Sequence, residues 1–415
     1  MNRRAWISRA LVALTLSWGG LACANAAATA AAADGSLVIA GGALRADNAV
    51  VWQRIVELAG GKGARIAVIP AAAGNPGGSG ANWAKVIGSY GADAFLLPLS
   101  PKLPGDVRQA ANDSKLVAQI DGAGGVYFLG GDQARIVATL KNPDGSNSAV
   151  LDAIWRLYRR GGVIAGTSAG AAVMSSTMFD NAPPVLAVLQ RGVDKGGVMA
   201  PGLGFIGDDV FVDQHLLVRG RFARMLPLML SKKYRRGIGI DENTALVVGP
   251  GRRAEVIGYK GVILLELDGA SVDPSVPGFN VNNASISYLD HGDRIDLASG
   301  VVTPSLDKIK GKVDPAEPEN RGPLYAADIL GNTTVVDLMS RLIDSDQPAA
   351  IGLAFAGPGD QSGQPGFEFR FSRSPASSGY VSASSEAYSV YRLRLDVRPV
   401  ALGWPVYRPF AAPLK

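Results

Sequence analysis

Between residues 36 and 166 five short apolar runs, each bounded by glycine or a polar turn, alternate with segments of helical periodicity. The runs are Ser36–Ala40, Ala64–Pro70, Ala94–Leu99, Gly125–Leu129 and Gly162–Ala165. The helical segments are Ala49–Leu58, Asn82–Tyr90, Asp106–Ile120, Gln133–Leu140 and Asn147–Arg159. Short apolar runs bounded by breakers read as strands buried on both faces, and their alternation with helices builds a mostly parallel sheet covered on both sides. The expected class is therefore α/β, an αβα sandwich. Ligands in such sheets sit past the carboxyl ends of the strands. That directs attention to Gly41-Gly42, Ala71–Asn75, Gly131–Gln133 and Gly166–Gly170.

The texture changes after Val210. Val210–His215 reads as a strand, Leu216–Leu230 as a helix and Gly237–Leu267 as a β-meander. From Val301 it changes again: a polar linker at Asp314–Pro323, a helix at Thr333–Ile343, and strands at Phe367–Ser372 and Tyr388–Val397. The expected organisation is a main domain over 36–300 and a C-terminal β-rich extension over 301–415.

Residues 1–26 read as a signal peptide, with Arg3, Arg4 and Arg9 ahead of the apolar run Ala10–Trp18 and a small-x-small site at Ala24-Asn25-Ala26. The run is too short to span a bilayer, so a secreted or periplasmic protein is expected, with residues 27–35 as a tether. Lipid anchoring at Cys23 is not expected, because the small residues around it are one position out of register. Removing the leader leaves 38 basic against 36 acidic side chains, so the net charge falls from +5 to +2. No nucleic-acid partner is expected at that charge. The leader also takes the only cysteine, and the chain has two histidines. Thiol chemistry and a cysteine metal site are not expected in the mature chain, a histidine-based zinc site is not expected either, and no cofactor or metal is expected.

Gly166-Thr167-Ser168-Ala169-Gly170 fits G-x-S-x-G, after a strand and before a helical segment, Ala171–Phe179. A sharp strand-to-helix turn exposes the serine, and its glycines keep the turn free of side chains. The Ala169 N–H at the helix start suits a developing oxyanion. A serine nucleophile needs a base. His291 lies in a polar turn, whereas His215 ends an apolar strand, so His215 is the expected base. Arg219, Arg221 and Arg224 follow it. Cations beside a catalytic histidine make sense where an anion binds, and arginine grips carboxylates bidentately.

Gly130-Gly131-Asp132-Gln133 follows another strand, which makes the Gly131 or Asp132 N–H a candidate second oxyanion donor and the Gln133 amide a substrate contact. Gly202–Gly207 satisfies G-x-G-x-x-G, but a β-like run follows it where a dinucleotide site needs a helix.

Together GGDQ at 130–133, GTSAG at 166–170, DQH at 213–215 with R-x-R-x-x-R at 219–224, GIDENTA at 239–245 and GGALRADN at 41–48 resemble the cyanophycinases of the peptidase S51 group. The leader and the C-terminal extension resemble the extracellular bacterial type. The resemblance implies a fold similar to class I glutamine amidotransferases, with serine for their cysteine, and a homodimer. It implies exopeptidase hydrolysis of cyanophycin, a poly-aspartate bearing arginine on its side chains, to β-Asp-Arg dipeptides. Ser168 and His215 match the family's nucleophile and base. Gln133, Asp213, Gln214, Arg219, Arg221 and Arg224 match its substrate-contacting positions.

The family carries a glutamate in the loop after the nucleophile's helix. Here that stretch, Asn181–Gln190, holds no acid, and Asp180 and Asp194 flank it. Asp180 is the expected triad acid. The alternatives are an aspartyl dipeptidase, and a non-catalytic polymer-binding relative, which the missing acid favours.

Overall fold

The computed structural model describes residues 35–357, 362–403 and 405–406. The signal-peptide and Cys23 readings, and the tether as far as residue 34, lie outside the described residues.

Five parallel strands form where the apolar runs lie: β1 (Ser36–Ala40), β2 (Arg65–Ile69), β3 (Asp93–Leu96), β4 (Gly125–Phe128) and β5 (Val163–Thr167). They are ordered β1-β5-β4-β2-β3. Thr244–Val248 pairs antiparallel with β1, and Arg253–Gly258, Arg294–Asp296 and Val302–Thr303 extend that edge. Along β1 the side chains alternate between two cores, Leu37 and Ile39 to one face, Val38 and Ala40 to the other. That alternation is what a strand covered on both sides requires.

The helices start at side-chain caps. Asn48, Asn75, Asp106, Asp113, Asp132 and Ser148 each accept a backbone N–H of the first turn. Such a bond satisfies one of the helix's orphan donors, at about 1 kcal/mol. Two capping aspartates lie within 106–120, so the single helix expected there is two, Val107–Ala111 and Ser114–Asp121.

A second sheet begins with Val210–Gln214 beside Arg236–Ile240, which are parallel, and continues through Val262–Glu266 and Val281–Leu289. Strands from the C-terminal region lengthen the same sheet: Tyr388–Val400 pairs with Val281–Leu289, then Gly366–Ser372 and Ala349–Ala354 follow. Val210, Val212, Ile238 and Leu264 share a core with Leu37 and Ile39 of the first sheet. Phe211, Ile263 and Leu265 face away, toward the helices Phe222–Lys232 and Thr334–Ile343. The architecture is α/β, with strand-rich C-terminal residues as expected.

Two helices are shorter than expected. The one after Ser168 is only Ala169–Ala172, and Thr177–Phe179 is a strand. The Gly202–Gly207 segment ends it: the N–H groups of Leu203 and Ile206 bond the carbonyls of Val173 and Met174. A Cβ on Gly202 would strike the Ser175 carbonyl, which is a structural reason for that glycine. The helix expected over Leu216–Leu230 begins at Phe222. Asp241 Oδ1 accepts the N–H groups of Leu217 and Val218 at 3.0 and 3.3 Å, which holds the preceding residues in a turn.

Candidate active site

Ser168 stands at the carboxyl end of β5 with φ 53° and ψ −111°. Few side-chain-bearing residues adopt that region, at a cost of about 1–3 kcal/mol. Its neighbours leave little choice. A Cβ on Gly166 would strike the Gly170 carbonyl, and one on Gly170 would lie about 2.5 Å from the Phe128 carbonyl. The Ser168 N–H donates to Ala40 O at 3.0 Å, tying the turn to β1.

His215 follows Val210–Gln214, also with positive φ, 50°, and its N–H donates to Gly41 O at 2.7 Å. Its ring lies against Gly42, where any Cβ would run into the imidazole. Ser168 Oγ and His215 Nε2 are 2.8 Å apart. On the other side, His215 Nδ1 lies 2.6 Å from Glu242 Oε1. An Nδ1–H donating to the carboxylate leaves Nε2 free to accept the serine proton.

Burial is the main cause that lowers the His215 pKa below its ordinary value; Glu242 opposes it, and Arg219 and Arg221 add to it. The imidazole is therefore kept neutral at neutral pH.

The acid beside His215 is Glu242, not Asp180. Asp180 follows the strand Thr177–Phe179, and its N–H donates to Val198 O at 2.7 Å. Asp194 accepts from Ser231 Oγ at 2.5 Å. Glu242 was missed because 237–267 reads as a meander, which makes Asp241-Glu242-Asn243 a hairpin turn. Those residues instead carry the chain from the second sheet to the first, past the carboxyl end of Arg236–Ile240. The rule that site residues follow strand ends, applied to that strand, finds Glu242.

Of the two candidate donors after β4, Asp132 N–H is engaged: it donates to Ala72 O at 3.1 Å, while the side chain caps the next helix. The Gly131 and Ala169 N–H groups have no acceptor among the described residues. Gly131, with φ +139°, packs so closely that a Cβ would strike the Ala72 carbonyl.

A cavity of about 320 Å³ opens beside Ser168 and His215, lined in part by Gly131, Gln133, Gln214, Arg219, Arg221 and Arg224. Not all of these face it in the same way. Asp213, 2% exposed, accepts two bonds from Arg224, at 2.7 and 2.8 Å. Arg224 also lies 4.1 Å over the Phe179 ring. This pair is a buried support, so Asp213 acts through Arg224 and does not itself reach the cavity. Arg219 is exposed, with no carboxylate partner among the described residues. Burial, then Arg224 and Arg219, push Arg221 down to about 10. It remains charged at neutral pH, and an anion in the cavity would relieve the crowding of cations. Gln214 Oε1 is buried without a partner, while Gln133 Nε2 donates to Phe179 O at 2.6 Å. A second cavity, about 310 Å³, lies on the other side of Ser168, against Leu44, Trp83 and Thr167.

Among the described residues no group of acidic, histidine or cysteine side chains could hold a metal ion, and no helix is long and apolar enough to cross a membrane.

This sequence is similar to those of known proteins. The cyanophycinase of Nostoc sp. (strain PCC 7120 / SAG 25.82 / UTEX 2576) is 30% identical over 280 residues, covering 66% of this chain and 89% of the relative. The cyanophycinase of Geminocystis herdmanii (strain PCC 6308) is 32% identical over 267 residues, covering 62% and 92%. A solved structure of a peptidase from an acI-B1 Actinobacterium aligns with a TM-score of 0.46 at 25% identity, covering 63% of this chain and 97% of that one. The model for Peptidase family S51 matches residues 37–256, more than half of the chain. The chain belongs to peptidase family S51.

Proposed function

We propose that this peptidase hydrolyses cyanophycin by acyl transfer through Ser168, releasing β-Asp-Arg dipeptides from a polymer end, and that the leader read at residues 1–26 exports it. The observation that carries the reading is the line Ser168–His215–Glu242, at 2.8 and 2.6 Å, beside a cavity bearing unpaired arginines. The relatives' printed name supports the substrate.

His215 Nε2 takes the Ser168 proton as Oγ attacks a backbone carbonyl of the poly-aspartate, and Glu242 stabilises the imidazolium. The Gly131 and Ala169 N–H groups hold the oxyanion. The Nε2 proton passes to the leaving amine. Water then adds to the acyl ester, giving its proton to His215, and the ester C–O bond breaks with return of that proton to Ser168. Arg219 and Arg221 hold the free carboxylate of the arginyl branch, and Gln214 Oε1 accepts an N–H of the same unit.

Glu242 removes the main support for the non-catalytic alternative, which was the lack of an acid. The test is incubation with cyanophycin and mass spectrometry of the soluble products. Release of β-Asp-Arg is expected. Cleavage of Asp-X dipeptides with no release from the polymer would instead identify an aspartyl dipeptidase.

A further inference from the structure

A second cationic cavity lies away from the serine. Arg236 pairs with Val210, at the opposite end of that strand pair from Gln214, roughly 13 Å along the strand. Around it opens a cavity of about 720 Å³ lined by five arginines, among them Arg235, Arg236 and Arg394, against two acids, Glu266 and Asp268.

Three of these cations are matched: Arg235 by Asp268, Arg236 by Glu266 and Arg394 by Asp396. The other two are not. Arg373 holds its Nη1 buried without a partner. Arg392 reaches no carboxylate among the described residues, only the Gly300 carbonyl at 3.4 Å. Arg392 is also placed deliberately. The strand pairing slips between Ile286 and Tyr288, and Arg392 takes φ 56° there. Its N–H donates to Ser287 Oγ at 2.9 Å and its carbonyl accepts from Ser377 Oγ at 2.7 Å. Such bulges re-aim a side chain. A buried guanidinium N–H left unbonded is costly, and an unmatched pair of guanidiniums in an open polar cavity suits bidentate carboxylates.

We propose that this cavity is a second, non-catalytic binding site for a carboxylate-bearing polymer chain, which keeps the peptidase on its substrate while Ser168 works on an end. Identifying that polymer as cyanophycin rests on the function proposed above; the site's preference for a polycarboxylate does not. Two sites on one polymer raise the effective concentration of ends without new contacts at the serine. Both unmatched arginines come from residues beyond 301, which gives that region a part in the reaction.

The test uses the full-length Ser168→Ala protein, with binding to fluorescein-labelled oligo-L-aspartate and to cyanophycin particles. Arg392→Gln and, separately, Arg373→Gln are added. Arg392 is exposed, so its variant keeps the test valid if Arg373→Gln melts early. Each variant is expected to weaken binding of both probes about tenfold in a salt-sensitive way. With Ser168 restored, turnover of a short soluble cyanophycin fragment is expected to stay within about twofold. Binding of both probes at the parental level in both variants overturns the site, as does a parent that binds neither probe. Polymer cleaved by an enzyme whose variants bind normally sinks this site alone. Variants that lose oligo-aspartate binding in an enzyme that never cleaves cyanophycin uphold the site and sink only the substrate reading.

Discussion

Two of the places where the protein buries charge are finished differently. Just before the strand Arg294–Asp296 of the first sheet, Asp293 lies 2.8 Å from Lys308, and both are fully buried. Asp293 Oδ1 also takes the Ser305 N–H, Oδ2 takes the Asp290 N–H and the Ser389 hydroxyl, and Lys308 donates to Ser389 as well. Asp293, Lys308 and Ser389 satisfy one another, so this cluster joins the C-terminal residues to the main fold and presents nothing to a ligand. Around Ser168 the supporting pair Asp213–Arg224 is similarly closed, but Gln214 Oε1, the Gly131 and Ala169 N–H groups and Arg219 are left for something else, and Arg221 meets only the Gln214 carbonyl, at 3.0 Å, with no carboxylate. Buried polar groups are normally satisfied. A closed network therefore reads as structure, and one with donors and acceptors left over reads as a site.

Substitutions can break that contrast. The largest effect is expected from Ser168→Ala: turnover falls by at least about 10³-fold, since removing a single oxyanion donor already costs 10²–10³, while the melting temperature stays close to that of the parent. Residual activity within tenfold of the parent would show that Ser168 is not the nucleophile. Glu242→Gln comes next, with a drop in kcat of up to about 10⁴, the scale seen when a triad acid loses its charge; Asp180→Asn serves as the control and should cost little.

In the closed network the cost moves from rate to stability. Lys308→Met strands a buried carboxylate and is expected to destabilise by about 3–5 kcal/mol, read as a lower urea midpoint, with kcat unchanged in the folded enzyme. A variant as stable as the parent would remove the distinction between the two networks. Arg219→Gln is the mildest. KM should rise about tenfold, which is 1.4 kcal/mol of binding. His215 acts as a base when neutral, above its pKa, and Arg219 helps to hold that pKa down. Losing this cation raises the pKa, so the acid limb of kcat/KM should move to higher pH. A limb that stays in place, or moves lower, contradicts the electrostatic role.

Much of this was legible beforehand because it depends on local chemistry. The helices Ala49–Leu58 and Gln133–Leu140 match their expected bounds, since Asn48 and Asp132 cap them and glycine or a polar turn precedes each. Ser168 and His215 follow apolar strands, and the structure brings them together. Legibility ended where the decisive partner was distant in sequence. The helix after Ser168 stops because carbonyls at 173 and 174 are taken by residues 203 and 206, which no local propensity reveals. Glu242 meets His215 because two parallel strands end side by side, and that pairing is a property of the assembled sheet. The same holds for Asp132: its sequence position suits an oxyanion donor, but Ala72 uses its N–H.

The central claim is that Ser168, His215 and Glu242 act as one line. The most direct measurement is the rate at which a fluorophosphonate labels the protein, with the adduct mapped by peptide mass spectrometry. The expected result is a single adduct on Ser168, labelling slowed by orders of magnitude in His215→Ala and strongly in Glu242→Gln, and parental in Asp180→Asn. An adduct elsewhere, or labelling that Glu242→Gln leaves untouched while Asp180→Asn abolishes it, would contradict the account.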